Sequence, residues 1–232
     1  MPPEPGPADD VEVLGDLPGG WRLERARGTV ADLHAAELPP VRVLRICEAT
    51  DAAVVLGSTQ RADLFDAVAV GHARLATVRR RSGGGAVLLR PGEHLWVDVL
   101  VPVGDRLWDD DVERAAWWVG EWWASAIGAS ATVHRAPLTD RPAGAVACFA
   151  AVGPGEVLDA DGRKLVGVSQ RRNRFGARFQ TLAYRRWDPG ALTGLLADRA
   201  AADLVDPLLR AGVGAVDDRV DLVARLVAEV PP

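Results

Sequence analysis

The dipeptide Asp161-Gly162 constrains this chain more than any other pair of residues. It separates "GEVLDA" (Gly155–Ala160) from "RKLVGVSQRR" (Arg163–Arg172), two runs that read as strands. Asp-Gly between such runs is a strong signal for a two-residue hairpin. A further run, "ARFQTLAY" (Ala177–Tyr184), follows. Upstream, "VRVLRICEA" (Val41–Ala49), "AAVVLGSTQ" (Ala52–Gln60), "LATVRRR" (Leu75–Arg81), "AVLL" (Ala86–Leu89) and "HLWVDVLVP" (His94–Pro102) also read as strands, the last two separated by the turn "RPGE". "AVACFAA" (Ala145–Ala151) reads as one more. Strands therefore outnumber helices in the middle of the chain, and many connect as hairpins. That pattern favours a mixed, mainly antiparallel sheet flanked by helices over a doubly wound parallel sheet.

Helical stretches lie around this strand-rich middle. A short one is expected at "VADLHAAEL" (Val30–Leu38) and another over Asp63–Arg74. The strongest is "DDDVERAAWWVGEWWASAIGA" (Asp109–Ala129), whose acidic start complements the helix dipole and whose Gly128 is a plausible stop. Its four tryptophans, Trp117, Trp118, Trp122 and Trp123, are expected to pack on the sheet rather than bind a ligand. Three more helices are expected after Asp188: "PGALTGLLA", "AADLVDPLLRAG" (kinked at Pro207) and "DRVDLVARLVAEV". Residues 1–18, rich in Pro, Gly and acids, are expected to be disordered, leaving residues 19–232 as a single domain with a helical C-terminal part.

The net charge of −5 gives no general footprint for nucleic acid or anionic lipid. No apolar run approaches the roughly 20 residues needed to span a bilayer, and the N-terminus does not read as a signal peptide, so a cytoplasmic protein is expected. The two cysteines, Cys47 and Cys148, lie far apart and suggest neither a disulfide framework nor a zinc site. The two familiar nucleotide-binding loops, G-x-G-x-x-G and G-x-x-x-x-G-K-S/T, are absent.

Two stretches could carry chemistry. In "VRRRSGGGAV" (Val78–Val87), three arginines, a hydroxyl and three glycines lie between apparent strands. Such a loop can present backbone amides and guanidinium groups to an anion or carboxylate, although a flexible hairpin loop has the same spacing. Lys164 is the only lysine among the 27 Lys and Arg residues. It sits two residues past Gly162, where strand alternation would place Lys164, Val166 and Val168 on one face.

These stretches resemble two signatures of the lipoate-protein ligase family, within the biotin and lipoate ligase superfamily. "RRRSGGGAV" is similar to R-R-x-S-G-G-G-A-V, and "DGRKLVGVSQRR" to the run around that family's essential lysine. "VVLGSTQ" (Val54–Gln60) resembles its upstream L-G-x-x-Q element. The resemblance implies a catalytic domain of the class II synthetase-like type. It also implies ATP and Mg²⁺, lipoic or octanoic acid as substrate, and as partners the lipoyl carrier domains of 2-oxoacid dehydrogenases or the glycine-cleavage H protein. In that family an acyl-adenylate forms and then acylates a carrier lysine.

Carried over by position, Arg80, Ser82, Gly83, Gly84, Gly85 and Ala86 would line the acyl and phosphate site. Lys164 would contact the acyl carbonyl and the α-phosphate, with Gly167 in the same signature. "GPGE" stands where the family reads G-R-N-D, which would put Gly155 and Glu156 near the nucleotide, with Glu156 as a Mg²⁺ ligand. Leu88-Leu89-Arg90 replaces the aromatic-His-Asp of the ligases, and Phe179-Gln180-Thr181 replaces their His-Gly-Thr.

The chain also resembles the related octanoyltransferases. In those a cysteine about fifteen residues before the signature lysine carries the acyl group as a thioester, with no cofactor. Cys148 precedes Lys164 by sixteen residues. A buried cysteine is more often a small core residue, and the sequence shows no partner that would activate it. A third alternative is a non-catalytic member that binds an acyl group, nucleotide or carrier without turnover.

Overall fold

The structure, a computed structural model, describes residues 10–37, 39–216 and 219–232. Eleven strands are described: β1 (Val11–Leu17), β2 (Trp21–Gly28), β3 (Val43–Ala49), β4 (Ala53–Leu56), β5 (Ala76–Arg79), β6 (Val87–Leu89), β7 (His94–Pro102), β8 (Thr132–Val133), β9 (Val157–Leu158), β10 (Lys164–Arg172) and β11 (Gly176–Tyr184). Seven α-helices accompany them: α1 (Val30–Ala35), α2 (Ala67–His72), α3 (Trp117–Ile127), α4 (Arg141–Val146), α5 (Pro189–Thr193), α6 (Arg199–Gly212) and α7 (Arg219–Ala228). Eight strands form one sheet in the order β1-β2-β3-β7-β11-β10-β9-β8, and β5-β4-β6 form a second. Only the β2/β3 and β4/β5 pairs run parallel. The fold is therefore the mixed, mainly antiparallel sheet flanked by helices that the hairpins imply.

The large sheet separates two kinds of interior. On one face Leu44, Ile46, Val97, Val99, Val166 and Phe179 meet α3 and α7 in an apolar layer around Trp123, which is fully buried. Trp122 donates its indole N–H to the Leu226 carbonyl, fixing α7 across α3. Trp118, Trp122 and Trp123 thus serve packing, as their spacing suggests, while Trp117 lies against the Arg135 guanidinium. The opposite face carries charge: Arg45 pairs with Glu24, and Arg178 pairs with Asp98, all four within the sheet. Arg178 also donates to the Leu33 and Ala36 carbonyls, tying down the C-terminal end of α1. On that side the small sheet, α1, α5 and α6 close a second apolar cluster.

Several expectations need correction. Val11–Leu17, expected within a disordered segment, forms β1 and pairs antiparallel with β2. Six of its seven residues are exposed, so backbone pairing rather than burial holds it, and no burial pattern marks it in the sequence. The rest of that segment, residues 1–9, lies outside the described residues. "AVACFAA" is not a strand: Asp140 caps α4 by accepting from the Ala143 N–H, Pro142 sits in its first turn, and Cys148–Ala150 form a 3-10 turn. The helix expected over Asp63–Arg74 starts later, capped by Asp66, and α3 starts at Trp117 after a 3-10 turn over Arg114–Ala116.

Candidate active site

The hairpin that opens β10 aims its lysine. Asp159 N–H donates to the Arg163 carbonyl (2.9 Å) and Gly162 N–H to the Asp159 carbonyl (3.1 Å), with Gly162 at φ 79°. The loop therefore has three residues and one left-handed glycine, one residue more than the expected turn. A bulge follows, because the register against β9 slips between Lys164 and Val166. The extra residue changes which face Lys164 occupies. Leu165, Val166 and Val168 all pack with the tryptophan layer, while the Lys164 stem turns to the Gly167 side, where a Cβ on Gly167 would lie 3.4 Å from its Cε. The expected common face for Lys164, Val166 and Val168 is thus broken by the bulge.

Lys164 is almost completely buried and fully engaged. Its Nζ lies 2.6 Å from Glu156 Oε1, 2.7 Å from the Cys148 carbonyl oxygen and 3.0 Å from the Ala151 carbonyl oxygen. It is also 3.7 Å from Cys148 Sγ and lies over the Phe149 ring. Glu156 is equally enclosed and accepts from the Gly153 and Val168 N–H groups. Burial raises the Glu156 carboxyl above its ordinary value, against the pull of Lys164 and these two amides.

The glycine loop between β5 and β6 brings the remaining parts together. Arg80 is buried and donates to the Gly83 and Gly85 carbonyls, so its guanidinium holds the loop; burial lowers its pKa. Gly85 has no room for a side chain: a Cβ there would lie 2.4 Å from the Gly144 carbonyl oxygen and 2.7 Å from the Cys148 nitrogen. Ala86 N–H donates to the Val146 carbonyl and Cys148 N–H to the Ala86 carbonyl, lashing the cysteine segment to the loop. Gln60 makes the same junction from below, donating to the Ala145 and Val146 carbonyls while accepting from Gly57 N–H. Ser82 Oγ lies 3.0 Å from Ser169 Oγ on β10 and donates to Gln180 Oε1 on β11.

Two cavities meet at Arg80, Cys148 and Ser169. The first encloses about 390 Å³, part of it open to solvent, and is walled mainly by Val87, Leu89, Trp96, Phe149 and Leu182. The second is lined by Gly83, Gly84, Gly85, Gly153, Pro154 and Glu156, among others. An apolar slot thus opens beside a backbone-rich recess, with a thiol and a buried cation at the junction.

A model of the lipoyl protein ligase A/B catalytic domain matches residues 30–222. The chain belongs to that family. Its fold is similar to that of an archaeal bipartite lipoate protein ligase, solved in work on that enzyme and its E2 lipoyl domain, from Thermoplasma acidophilum. That pair has a TM-score of 0.68 and 16% identity, covering 92% of this chain and 82% of that one. It is also similar to a lipoate-protein ligase A bound with ATP (TM-score 0.60, 18% identity, 81% and 70% covered). A third likeness is to P. falciparum LipL1 in complex with lipoate (TM-score 0.54, 10% identity, 81% and 46% covered). No curated protein matches the sequence.

Within this lipoyl ligase fold the positions taken from the family motifs separate. Arg80, Gly83, Gly84, Gly85, Glu156 and Gly167 line the two cavities, and Lys164 lies behind that lining, held by Glu156 and the Cys148 carbonyl. Ser82 and Ala86 stand behind them as supports. Gly155 does not reach the site: it has φ 80° and packs on the turn before α3, where a Cβ would lie 2.4 Å from the Ala116 carbonyl oxygen. The Mg²⁺ expectation finds no matching donor set. Glu156 is taken by Lys164, and among the described residues no group of three or more His, Cys, Asp or Glu side chains could hold a metal. Lys164 Nζ lies 3.7 Å from Cys148 Sγ, a contact that the sequence does not show.

The sequence reading missed His34, Trp96, Phe149 and Ser169. Ser169 could have been found two residues past Gly167 on the same strand face, whereas His34 sits on a helix of six residues with no motif to mark it. No helix among the described residues is long and apolar enough to cross a membrane.

Proposed function

We propose that the protein transfers a medium-chain acyl group, octanoyl or lipoyl, to the lysine of a lipoyl carrier domain through a thioester on Cys148. The supporting observation is that Cys148, whose Sγ lies 3.7 Å from Lys164 Nζ, lines both the apolar and the glycine-lined cavity. Cys148 attacks the carbonyl carbon of an acyl thioester. The new C–S bond forms as the donor's C–S bond breaks, and the cysteine proton leaves with the donor thiol. The carrier amine then attacks: a C–N bond forms, the bond to Cys148 breaks, and one amine proton returns to the sulfur. Lys164, bonded to Glu156 and to the Cys148 and Ala151 carbonyls, holds the backbone that carries the thiol and lies 3.7 Å from its sulfur. Val87, Leu89, Trp96, Phe149 and Leu182 would hold the chain.

ATP-dependent ligation is the second reading, and the glycine-lined cavity favours it. The open backbone at Gly83, with the Arg80 guanidinium close to Gly84, could cradle phosphate oxygens, and a similar structure holds ATP. Intact-mass measurement separates the two. Incubation with an octanoyl carrier thioester and no ATP should add one octanoyl group to the wild type and none to Cys148→Ala. Octanoyl-AMP made from octanoate, ATP and Mg²⁺ by both proteins, with no adduct, would replace the transfer reading by ligation.

A further inference from the structure

The apolar cavity is not apolar all round. Ser82 Oγ donates to Gln180 Oε1, and Gln180 Nε2 lies 3.1 Å from His34 Nδ1. With the amide oxygen already accepting, the amide nitrogen donates, and Nδ1 must be the acceptor. The imidazole proton is then on Nε2. That nitrogen is buried and has no hydrogen-bond partner among the described residues, while His34 itself lines the cavity beside Trp96. A buried donor without an acceptor is costly, and such groups are rare in folded proteins.

The imidazole cannot escape this by ionising. Burial, with the positive charges of Arg178 and Arg80, lowers its pKa to about 3, so it remains a neutral N–H donor at physiological pH. The same two cations set a positive potential at the ring, which favours an electron-rich atom opposite Nε2. Arg178 also bonds the carbonyls at the end of α1, so the helix bearing His34 is held in place.

We propose that His34 determines specificity within the acyl cavity, selecting a medium-chain acyl group that carries a hydrogen-bond acceptor at its far end over one ending in a plain methyl group. The proposal rests on the acyl-transfer reading above. Cys148 lines both cavities whereas His34 lines only the apolar one, so a chain attached at Cys148 and running into the apolar cavity meets His34 there. An ω-oxygen would satisfy the Nε2 proton; a methyl group would leave it unpaired. A dithiolane sulfur, a weaker acceptor, would satisfy it in part.

A competition tests this. Equimolar octanoyl and 8-hydroxyoctanoyl thioesters of coenzyme A are offered together, and the two Cys148 adducts are compared by intact mass. The expected ratio in the wild type is about tenfold in favour of the hydroxylated chain, the scale of one buried donor satisfied or not. In His34→Phe the ratio should fall to one or below. Because both adducts form in one sample, loss of folded protein does not change the ratio. Equal adducts on the wild type would overturn the role of His34 and leave acyl transfer standing. No adduct from either thioester would count against the transfer reading itself.

Discussion

The two faces of the large sheet are built on opposite rules. The face under α3 and α7 is dry and apolar, with Trp123 and Val97 fully enclosed and Phe179 nearly so. The other face buries Glu24, Arg45, Asp98, His34 and Lys164 beside two cavities. Buried charge contributes little net stability, because desolvation offsets the attraction of each pair. The tryptophan layer therefore allows the other face to keep ions, cavities and an imidazole with one unpaired nitrogen.

The largest effect should fall on the dry face. Trp123→Ala is expected to cost about 3–5 kcal/mol in urea denaturation, with no change in Cys148 acylation per folded molecule. A loss of acylation larger than the loss of folded protein would mean the faces are coupled.

On the other face, Lys164→Met leaves Glu156 buried without its cation and should cost about 3 kcal/mol together with acyl transfer. Adding Glu156→Gln should recover most of the stability and none of the transfer, separating structure from chemistry. Recovery of both would remove Lys164 from the reaction.

The glycine loop provides a smaller contrast. Gly85→Ala pushes a methyl group into the backbone that carries Cys148 and should cost about 1–3 kcal/mol and slow acylation. Gly83→Ala meets open space and should be within about 1 kcal/mol of wild type. The reverse order would show that the loop's close approach to Cys148 is not what the third glycine provides.

The last effect is a slope. His34 is neutral in the fold to about pH 3 but takes up a proton near pH 6.5 when unfolded, so the unfolded chain binds the extra proton between those values. The stability from a neutral His34 is present above about pH 6.5 and is lost as pH falls towards 3, by up to about 1.4 kcal/mol per pH unit. Comparing wild type with His34→Phe across that window isolates it. Parallel curves would contradict the buried neutral imidazole.

Much of this was legible in the sequence for identifiable reasons. Asp161-Gly162 marks a hairpin through the φ its glycine adopts, and Gly128 marks the end of the helix that carries the tryptophans, although the acidic run lies ahead of that helix rather than in its first turn. What was not legible depends on contacts between distant segments. The bulge at Lys164 is a matter of register against β9, and no single-strand pattern records it. The edge strand β1 has almost no burial to impose a pattern. The glycines of the loop look alike in sequence, yet Gly85 is set by Cys148 and Gly84 by its φ of 93°. His34 becomes informative only when Gln180, 146 residues away, meets it.

The most direct test is a single-turnover transfer. The octanoylated protein is separated from its donor, mixed with a lipoyl carrier domain in the absence of ATP, and both masses are followed with time. The octanoyl group should leave Cys148 and arrive on the carrier lysine in equal amount. If the thioester stays on Cys148 while octanoate and ATP octanoylate the carrier, with Cys148→Ala as active as wild type, then the Cys148–Lys164 pair is not the acyl-transfer centre.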